Sequence, residues 1–256
     1  MATEKATISV EERVRLMQTE LDLSEETVRD LLTCAGMNIL VLADDSSSMQ
    51  AVSDTSDVYK PKTRWSELKD MLEKLATMML VIDHAGFELK FFNDPEWFDI
   101  HTVADLEDLF KKKPTPKGMT PLAANLQLVL SSSYSRGDFP EGDTLVLVLT
   151  DGQPSDTNMA GLQRIVDNRA PKVWVSFIMC TEEDAVVDSY DKIIDPLRGV
   201  DICDDYASER ATCKKKKNDL SYNMYLAKCL LGSRMDKYGH LDSHKPEGEG
   251  GCCTLS

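Results

Sequence analysis

Three oxygen-bearing side chains follow directly on a short apolar run in the N-terminal part of the chain. The run, residues 39–43, is rich in branched residues, as expected for a strand that is buried on both faces. Asp44, Ser46 and Ser48 come immediately after it, at alternate positions. Carboxylate and hydroxyl oxygens suit a hard divalent cation such as Mg²⁺, although Asp and Ser also serve as ordinary helix caps. Because ligands bind at the carboxyl ends of strands in open α/β sheets, this turn is a candidate metal site.

Two later segments add oxygen donors of the same kind. Thr120 precedes Pro121 and a stretch with helical apolar spacing, where it could equally be a plain helix cap. Asp151 follows a second buried-strand pattern, residues 145–149, and with Gly152 it forms an ordinary turn dipeptide. The three segments together make an ordered series of strand and Asp-x-Ser-x-Ser, loop with Thr and helix, then strand and Asp-Gly.

This series resembles the metal-ion-dependent adhesion site of the von Willebrand factor A domain family, over roughly residues 36–232. All five expected positions are present: Asp44, Ser46, Ser48, Thr120 and Asp151. The resemblance implies an α/β fold with a doubly wound, mostly parallel sheet of Rossmann-like topology. It also implies Mg²⁺ or Mn²⁺ bound directly by the hydroxyls and often through water by the aspartates. One open coordination position would then accept a carboxylate from a protein partner.

The two spacer residues depart from the family pattern, which often has an apolar residue and a glycine there. Asp45 and Ser47 stand at these positions. A further carboxylate so close to the site could tighten metal binding and discourage an acidic partner. Alternation along the chain predicts that the Asp45 side chain points away from that of Asp44.

The leading hypothesis for function is a non-enzymatic protein–protein interaction module, an adaptor that captures an acidic residue through its cation. An alternative is a Mg²⁺-dependent phosphotransferase of the haloacid dehalogenase type, whose chemistry needs a second Asp two residues after the nucleophile. Position 46 is Ser, which disfavours it. A third possibility is a von Willebrand factor A fold with an unoccupied site. No other catalytic motif accompanies the four histidines, so we predict no catalytic residues.

Composition limits the partners. The chain has 256 residues and a formal net charge of −15, which disfavours nucleic acid as a partner. The one basic run, residues 214–217, is typical of a solvated helix end or loop.

The seven cysteines lack paired metal-binding spacing, and their odd number fits reduced core thiols. The N-terminal residues show no apolar signal region, and no stretch of about 20 apolar residues occurs. We therefore expect a cytoplasmic protein.

Three regions are predicted along the chain. Residues 1–35 form an N-terminal helical extension, with helix starts at Ser9 and Ser24. Residues 36–232 form the von Willebrand factor A-like domain, in which strands alternate with helices and residues 50–64 form a polar loop over the site. Residues 233–256 form a flexible tail, with the last helix stopped at Gly232.

The tail ends in a sequence that resembles a prenylation box. The serine at the end favours a farnesyl group on Cys253, and Cys252 could accept a palmitoyl chain. One lipid chain gives only weak membrane attachment, so the second cysteine would supply the second signal. This predicts peripheral association with the cytosolic face of a membrane. The oligomeric state stays open.

Overall fold

A six-stranded sheet runs through the centre of the protein. The computed structural model describes residues 9–54, 61–113, 115–130, 143–216, 218–239 and 241. The strands, in chain order, are β1 (Asn38–Ala43), β2 (Val52–Asp54), β3 (Lys62–Thr63), β4 (Phe87–Phe91), β5 (Phe98–Ile100), β6 (Thr144–Thr150), β7 (Val173–Met179) and β8 (Val200–Cys203). The central sheet has the order β5-β4-β1-β6-β7-β8, and only β5 is antiparallel to its neighbour. The predicted doubly wound, mostly parallel α/β fold is confirmed.

Helices cover both faces of this sheet. They are α1 (Val10–Thr19), α2 (Glu25–Leu32), α3 (Arg64–Ile82), α4 (Val103–Lys112), α5 (Leu122–Leu130), α6 (Met159–Asp167), α7 (Asp184–Ile193), α8 (Tyr206–Lys215), α9 (Tyr222–Leu231) and α10 (Asp236–Gly239). One hydrophobic cluster joins the sheet to α1–α4 and α8–α10, and the other joins it to α5–α7. Among the described residues, none of these helices has the length and apolar character that crossing a membrane requires.

The alternation of side chains along β1 explains how one strand serves both layers. Ile39, Val41 and Ala43 belong to the first cluster, whereas Leu40 and Leu42 belong to the second. All five are at most 5% exposed. Successive side chains of a strand point to opposite faces, so a strand covered on both sides must be apolar at every position. The continuous apolar run in the sequence is the consequence.

The polar segment before α3 is more ordered than the sequence predicted. Residues 50–64 were expected to form a loop, but β2 and β3 pair there as a short antiparallel ribbon. Thr63 caps α3 by accepting the backbone N–H of Ser66, and the Ser66 hydroxyl oxygen accepts the backbone N–H of Thr63 in return. Arg64, expected in the loop, is therefore the first residue of the helix. The expectation was wrong because a polar ribbon carries no apolar periodicity.

The N-terminal helices pack into the same core as the sheet. Their N-caps are Ser9 and Ser24, as the sequence predicted, and Met17, Val28 and Leu31 are almost fully buried. The side chains of this extension thus complete one face of the sheet.

The chain also continues in ordered form past Gly232. The predicted flexible tail from residue 233 is corrected at its start, because Tyr238 of α10 is 3% exposed and donates a hydrogen bond to Asp30 of α2 at 2.7 Å. The helix α9 ends at Leu231 with Gly232 as its C-cap, as the sequence predicted, and the Gly232 backbone has right-handed helical angles. The remaining tail, with Cys252 and Cys253, lies outside the described residues.

The cysteines within the described residues are free and buried, which agrees with reduced core thiols. They are Cys34, Cys180, Cys203, Cys213 and Cys229. Of the basic run, the exposed Lys214 and Lys215 lie in the last turn of α8. This is the solvated helix end that the sequence predicted.

Candidate functional site

The topology of the sheet brings the two aspartates to one edge. β1 and β6 are neighbouring parallel strands, with Ala43 opposite Leu149. Asp44 and Asp151 are the first residues after them. The chain leaves β1 toward β4 on one side and reaches β6 on the other, so the switch of direction falls between these two strands. Ligands bind in the crevice at such a switch point, outside the carboxyl ends of the strands.

Asp44 is a buried carboxylate held by donors from both strand ends. Its Oδ1 accepts the backbone N–H of Ser46 at 2.8 Å, and its Oδ2 accepts the hydroxyl of Thr150 at 2.7 Å. Burial raises the pKa of Asp44 to about 6, and the nearby negative charge of Asp151 adds to this, whereas the hydrogen bonds from Ser46 and Thr150 lower it. No cation pairs with Asp44 among the described residues. Its charge is thus stabilised only in part.

The serine turn connects the first strand end to the second. The Ser46 and Ser48 hydroxyl oxygens lie 2.9 Å apart, and the Ser48 hydroxyl donates to Oδ1 of Asp151 at 2.8 Å. A single 3-10 turn, Ser47–Gln50, holds this arrangement, with Met49 fully buried beneath it. Because the carboxylate can only accept, Ser46 must donate to Ser48. Four of the five predicted residues thus converge here.

Thr120 is brought to the same edge by its loop. The backbone N–H of Ser47 donates to the carbonyl of Gly118 at 3.1 Å, and the N–H of Gly118 donates to the Ser47 hydroxyl at 3.1 Å. On the other side, the Thr120 carbonyl accepts the N–H of Ser155 at 2.9 Å. Thr120 is 8% exposed, and its hydroxyl makes no hydrogen bond within the described part of the chain. The loop is therefore tied to the segments after both β1 and β6.

Gly118 shows why this loop needs a glycine. Its φ is +107°, a backbone conformation that L side chains rarely adopt. A Cβ atom there would lie 2.6 Å from Oδ1 of Asn93. The side-chain N–H of Asn93 donates to the carbonyl of Met119 at 2.9 Å. The close approach to Asn93 fixes the loop that carries Thr120.

Asp45 faces away from the candidate site, as alternation predicted. Its Oδ1 accepts the backbone and side-chain N–H groups of Asn93 at 2.8 and 3.0 Å. Its Oδ2 pairs with Lys113 at 3.4 Å. The carboxylate thus joins the serine turn to the end of β4 and the end of α4. Lys113, which also pairs with Asp94 at 2.8 Å, compensates part of the Asp45 charge. The effect of Asp45 on metal and partner stays a prediction.

Arg64 is the site residue that sequence reasoning missed. From the first position of α3, its guanidinium donates to Oδ2 of Asp151 at 3.0 Å and to Oε1 of Glu183 at 2.7 Å. The backbone N–H of Arg64 donates to the carbonyl of Ala51 at 3.0 Å, which fixes it beside the serine turn. The cap at Thr63 could have revealed the helix start, but no sequence signal announces a pair of residues 87 positions apart.

The donor set fits a hard divalent cation in its chemistry. Every predicted ligand offers oxygen, and the Arg64 guanidinium pairs with two carboxylates, those of Asp151 and Glu183, while the Asp44 carboxylate has no cationic partner among the described residues. A group of three or more His, Cys, Asp or Glu side chains placed to hold a metal does not occur among the described residues. The candidate site differs from such a group because three of its five residues offer a hydroxyl.

Comparison with solved structures gives several similar chains. Proximal thread matrix protein 1 from the mussel byssus is 22% identical, with 70% of this chain and 46% of that chain covered and a TM-score of 0.46. The SpRpn10 VWA domain is 10% identical, with 66% and 87% covered and a TM-score of 0.47. A von Willebrand factor type A structure from Catenulispora acidiphila is 17% identical, with 67% and 40% covered and a TM-score of 0.41.

Two of these three structures carry the family name that the motif series predicts. This chain resembles a von Willebrand factor A domain. It spans less than half the length of the mussel and Catenulispora chains. Because the TM-scores lie below 0.5, the fold assignment depends on strand order, direction and register. No protein-family model and no curated protein matches the chain.

A cleft opens beside the candidate site of this von Willebrand factor A-like domain. Its volume is about 640 Å³, and Arg64 and Glu183 form the wall on the side of the site. Apolar side chains of α3, α8 and α9 line the interior, among them Leu68, Tyr206 and Tyr222. The Arg64 guanidinium thus separates this cleft from Asp151.

Proposed function

We propose that this protein is a non-enzymatic interaction module that binds Mg²⁺ or Mn²⁺ and, through the cation, a carboxylate of a protein partner. The observation that carries the proposal is the hydrogen-bonded series of Ser46, Ser48 and Asp151 beside the buried carboxylate of Asp44. These groups come from two neighbouring strand ends, and Thr120 comes from a third segment tied to both. An oxygen-only set of this kind suits a hard dication.

Each residue would have a separate task. Ser46, Ser48 and Thr120 would hold the cation through their hydroxyl oxygens, while Asp44 and Asp151 would balance its charge. A cation with few direct anionic ligands stays strongly electrophilic. The bound cation would therefore offer a Lewis-acidic position that attracts a carboxylate. The chain's own contribution is orientation. Ser48 is held by Asp151, and Asp44 is held by Thr150 at 2.7 Å, so the oxygens are positioned before any ligand arrives.

The alternative of a phosphotransferase has no observation in its favour. A phosphotransferase of the haloacid dehalogenase type would need an Asp two residues after Asp44, and the adjacent Asp45 is engaged by Asn93 and Lys113. Position 46 carries the Ser46 hydroxyl instead. The other alternative, a fold whose site never fills, is separated from the proposal by direct measurement of cation binding.

Substitution of Thr120 by Val tests the metal site with little structural cost. The side chain keeps its shape, and its hydroxyl holds no other described residue. We expect isothermal titration with Mn²⁺ to show at least about tenfold weaker binding, since a lost ligand of a cation costs more than about 1.4 kcal/mol. Thr27→Val, at a second buried threonine in α2, is the matched control and should leave binding unchanged. Equal binding by wild type and Thr120→Val contradicts the proposal.

The partner chemistry is tested by selecting random displayed peptides in Mg²⁺ and again in EDTA. We expect enrichment of one Asp or Glu position in Mg²⁺ alone, because the cation attracts a carboxylate. Thr120→Val should lose this enrichment. Peptides selected equally well in EDTA, or without an acidic position, argue against capture through the cation.

We also propose attachment of the tail to the cytosolic face of a membrane through a prenyl group on Cys253 and a palmitoyl group on Cys252. Both residues lie outside the described part of the chain, so the support is the sequence motif alone. Mass spectrometry of the C-terminal peptide from protein expressed in a eukaryotic cell tests it. An unmodified peptide contradicts it.

A further inference from the structure

Arg64 lies between two carboxylates at the margin of the candidate metal site. Its guanidinium contacts Asp151 at 3.0 Å and Glu183 at 2.7 Å, and only 14% of its side chain is exposed. The two partners differ strongly in burial, since the Asp151 side chain is 0% exposed and that of Glu183 is 60% exposed. Arg64 therefore forms one ion pair inside the site, with Asp151, and one at the surface, with Glu183.

The inner contact uses a carboxylate that the cation also needs. Ser48 donates to Oδ1 of Asp151, and Arg64 donates to Oδ2. Both oxygens of Asp151 are thus engaged, one by a predicted ligand and one by a positive charge. A guanidinium and a dication placed around one buried carboxylate repel each other, and each weakens the attraction that the carboxylate exerts on the other.

We propose that Arg64 is an internal competitor of the divalent cation and that Glu183 is the alternative position that receives its guanidinium. The proposal is built on the proposed cation site. When the site takes up a cation, Arg64 gives up Asp151 and keeps its contact with Glu183. The strength of cation binding is then set by the balance between the two ion pairs. Arg64 acts through Asp151 and is a positioning residue.

The two ion pairs can be removed separately, and competition predicts opposite effects. Arg64→Gln removes the competing charge, so Mn²⁺ should bind about tenfold more tightly, as expected for loss of one like charge at a partly buried position. Glu183→Gln removes the negative charge of the outer partner and leaves Asp151 as the only one of the two described carboxylate partners of Arg64, so Mn²⁺ should bind about threefold more weakly. Arg64→Lys keeps the charge and should bind Mn²⁺ within about threefold of wild type.

Isothermal titration with Mn²⁺ on the full chain measures these changes, and urea unfolding in EDTA supplies a second measurement. Lys62→Gln is the matched control, because Lys62 lines the same cleft but pairs with Asp70 at 3.2 Å. We expect it to bind Mn²⁺ within twofold of wild type. In EDTA, Arg64→Gln should be less stable than wild type, since Asp151 then lacks a counter-charge. A variant that is less stable without the cation yet binds it more tightly is the signature of competition.

A purely structural role for Arg64 predicts the opposite sign, because loosening Asp151 would weaken cation binding. Equal or weaker Mn²⁺ binding by Arg64→Gln, with wild type binding normally, overturns the competition and leaves the proposed function standing. Failure of both proteins to bind Mn²⁺ overturns both proposals. Binding by Arg64→Gln alone supports the competition in its strongest form. If Arg64→Gln does not fold, Glu183→Gln decides, and unchanged or tighter Mn²⁺ binding by that variant refutes the inference.

Discussion

Asp44→Asn should stabilise the metal-free protein while abolishing cation binding. Burial raises the pKa of Asp44 to about 6 from a usual value of 3.8. Each pH unit of this difference corresponds to about 1.4 kcal/mol, so keeping the carboxylate ionised in the folded state costs about 3 kcal/mol at pH 7.5. Asparagine is neutral and has nearly the same shape, and it can still accept the backbone N–H of Ser46. After about 1 kcal/mol for the weaker hydrogen bonds, we expect a net gain of about 2 kcal/mol.

The direction in which stability changes with pH follows from proton linkage. Below about pH 4, Asp44 is protonated in both states and contributes nothing. Between about pH 4 and 6 the unfolded chain loses its proton while the folded protein keeps it, so stability falls as the pH rises. Above pH 6 the contribution is constant. The advantage of Asp44→Asn over wild type should therefore grow by about 1 kcal/mol between pH 5 and 7.5.

Urea unfolding in EDTA at pH 5 and 7.5 measures this, followed by the same titrations with Mg²⁺. Wild type should regain stability in Mg²⁺, whereas Asp44→Asn should not. Asp151→Asn is the control at the same edge of the sheet. It removes the charge of the buried one of the two carboxylates that pair with Arg64 and should destabilise the protein by about 1–2 kcal/mol. If Asp44→Asn is less stable than wild type by the same amount at both pH values, the reasoning from burial is refuted.

Two further predictions concern the frame that carries the site. Gly86→Ala should destabilise the protein by more than about 2 kcal/mol in urea unfolding, because φ is +83° and the new Cβ would clash with the carbonyl oxygen of Ile100. Gly36→Ala, with φ +79° but no neighbour within 4 Å, should cost only about 1 kcal/mol, and equal losses would contradict the steric argument. Glu209→Gln should cost about 3–5 kcal/mol, because it removes one charge of a fully buried ion pair, that of Glu209 with Lys228. The double variant with Lys228→Met should recover roughly half of this, and no recovery would show that the charge is not the cause.

Much of the fold could be predicted because its signals are local. The runs that became β1, β6, β7 and β8 are apolar at nearly every position, which only a strand covered on both faces requires. The short strand β5 and the ribbon of β2 and β3 were missed, because two or three residues are too few to show a period. The start of α10 was missed for a similar reason. Its single buried anchor, Tyr238, depends on a contact with α2 that lies 208 residues away.

In the candidate site, too, some features could be predicted from local sequence and others depend on distant contacts. By its alternating oxygens and strand-end positions, the sequence alone determined which side chains could hold a cation, since those features are written in consecutive residues. The tertiary structure alone decided that Ser48 reaches Asp151, that Asp45 is held elsewhere by Asn93, and that Arg64 enters the site from α3. Ion pairs and hydrogen bonds form between whatever side chains the packed sheet and helices bring within about 3 Å. That proximity is a property of the packed layers, and no stretch of neighbouring residues encodes it.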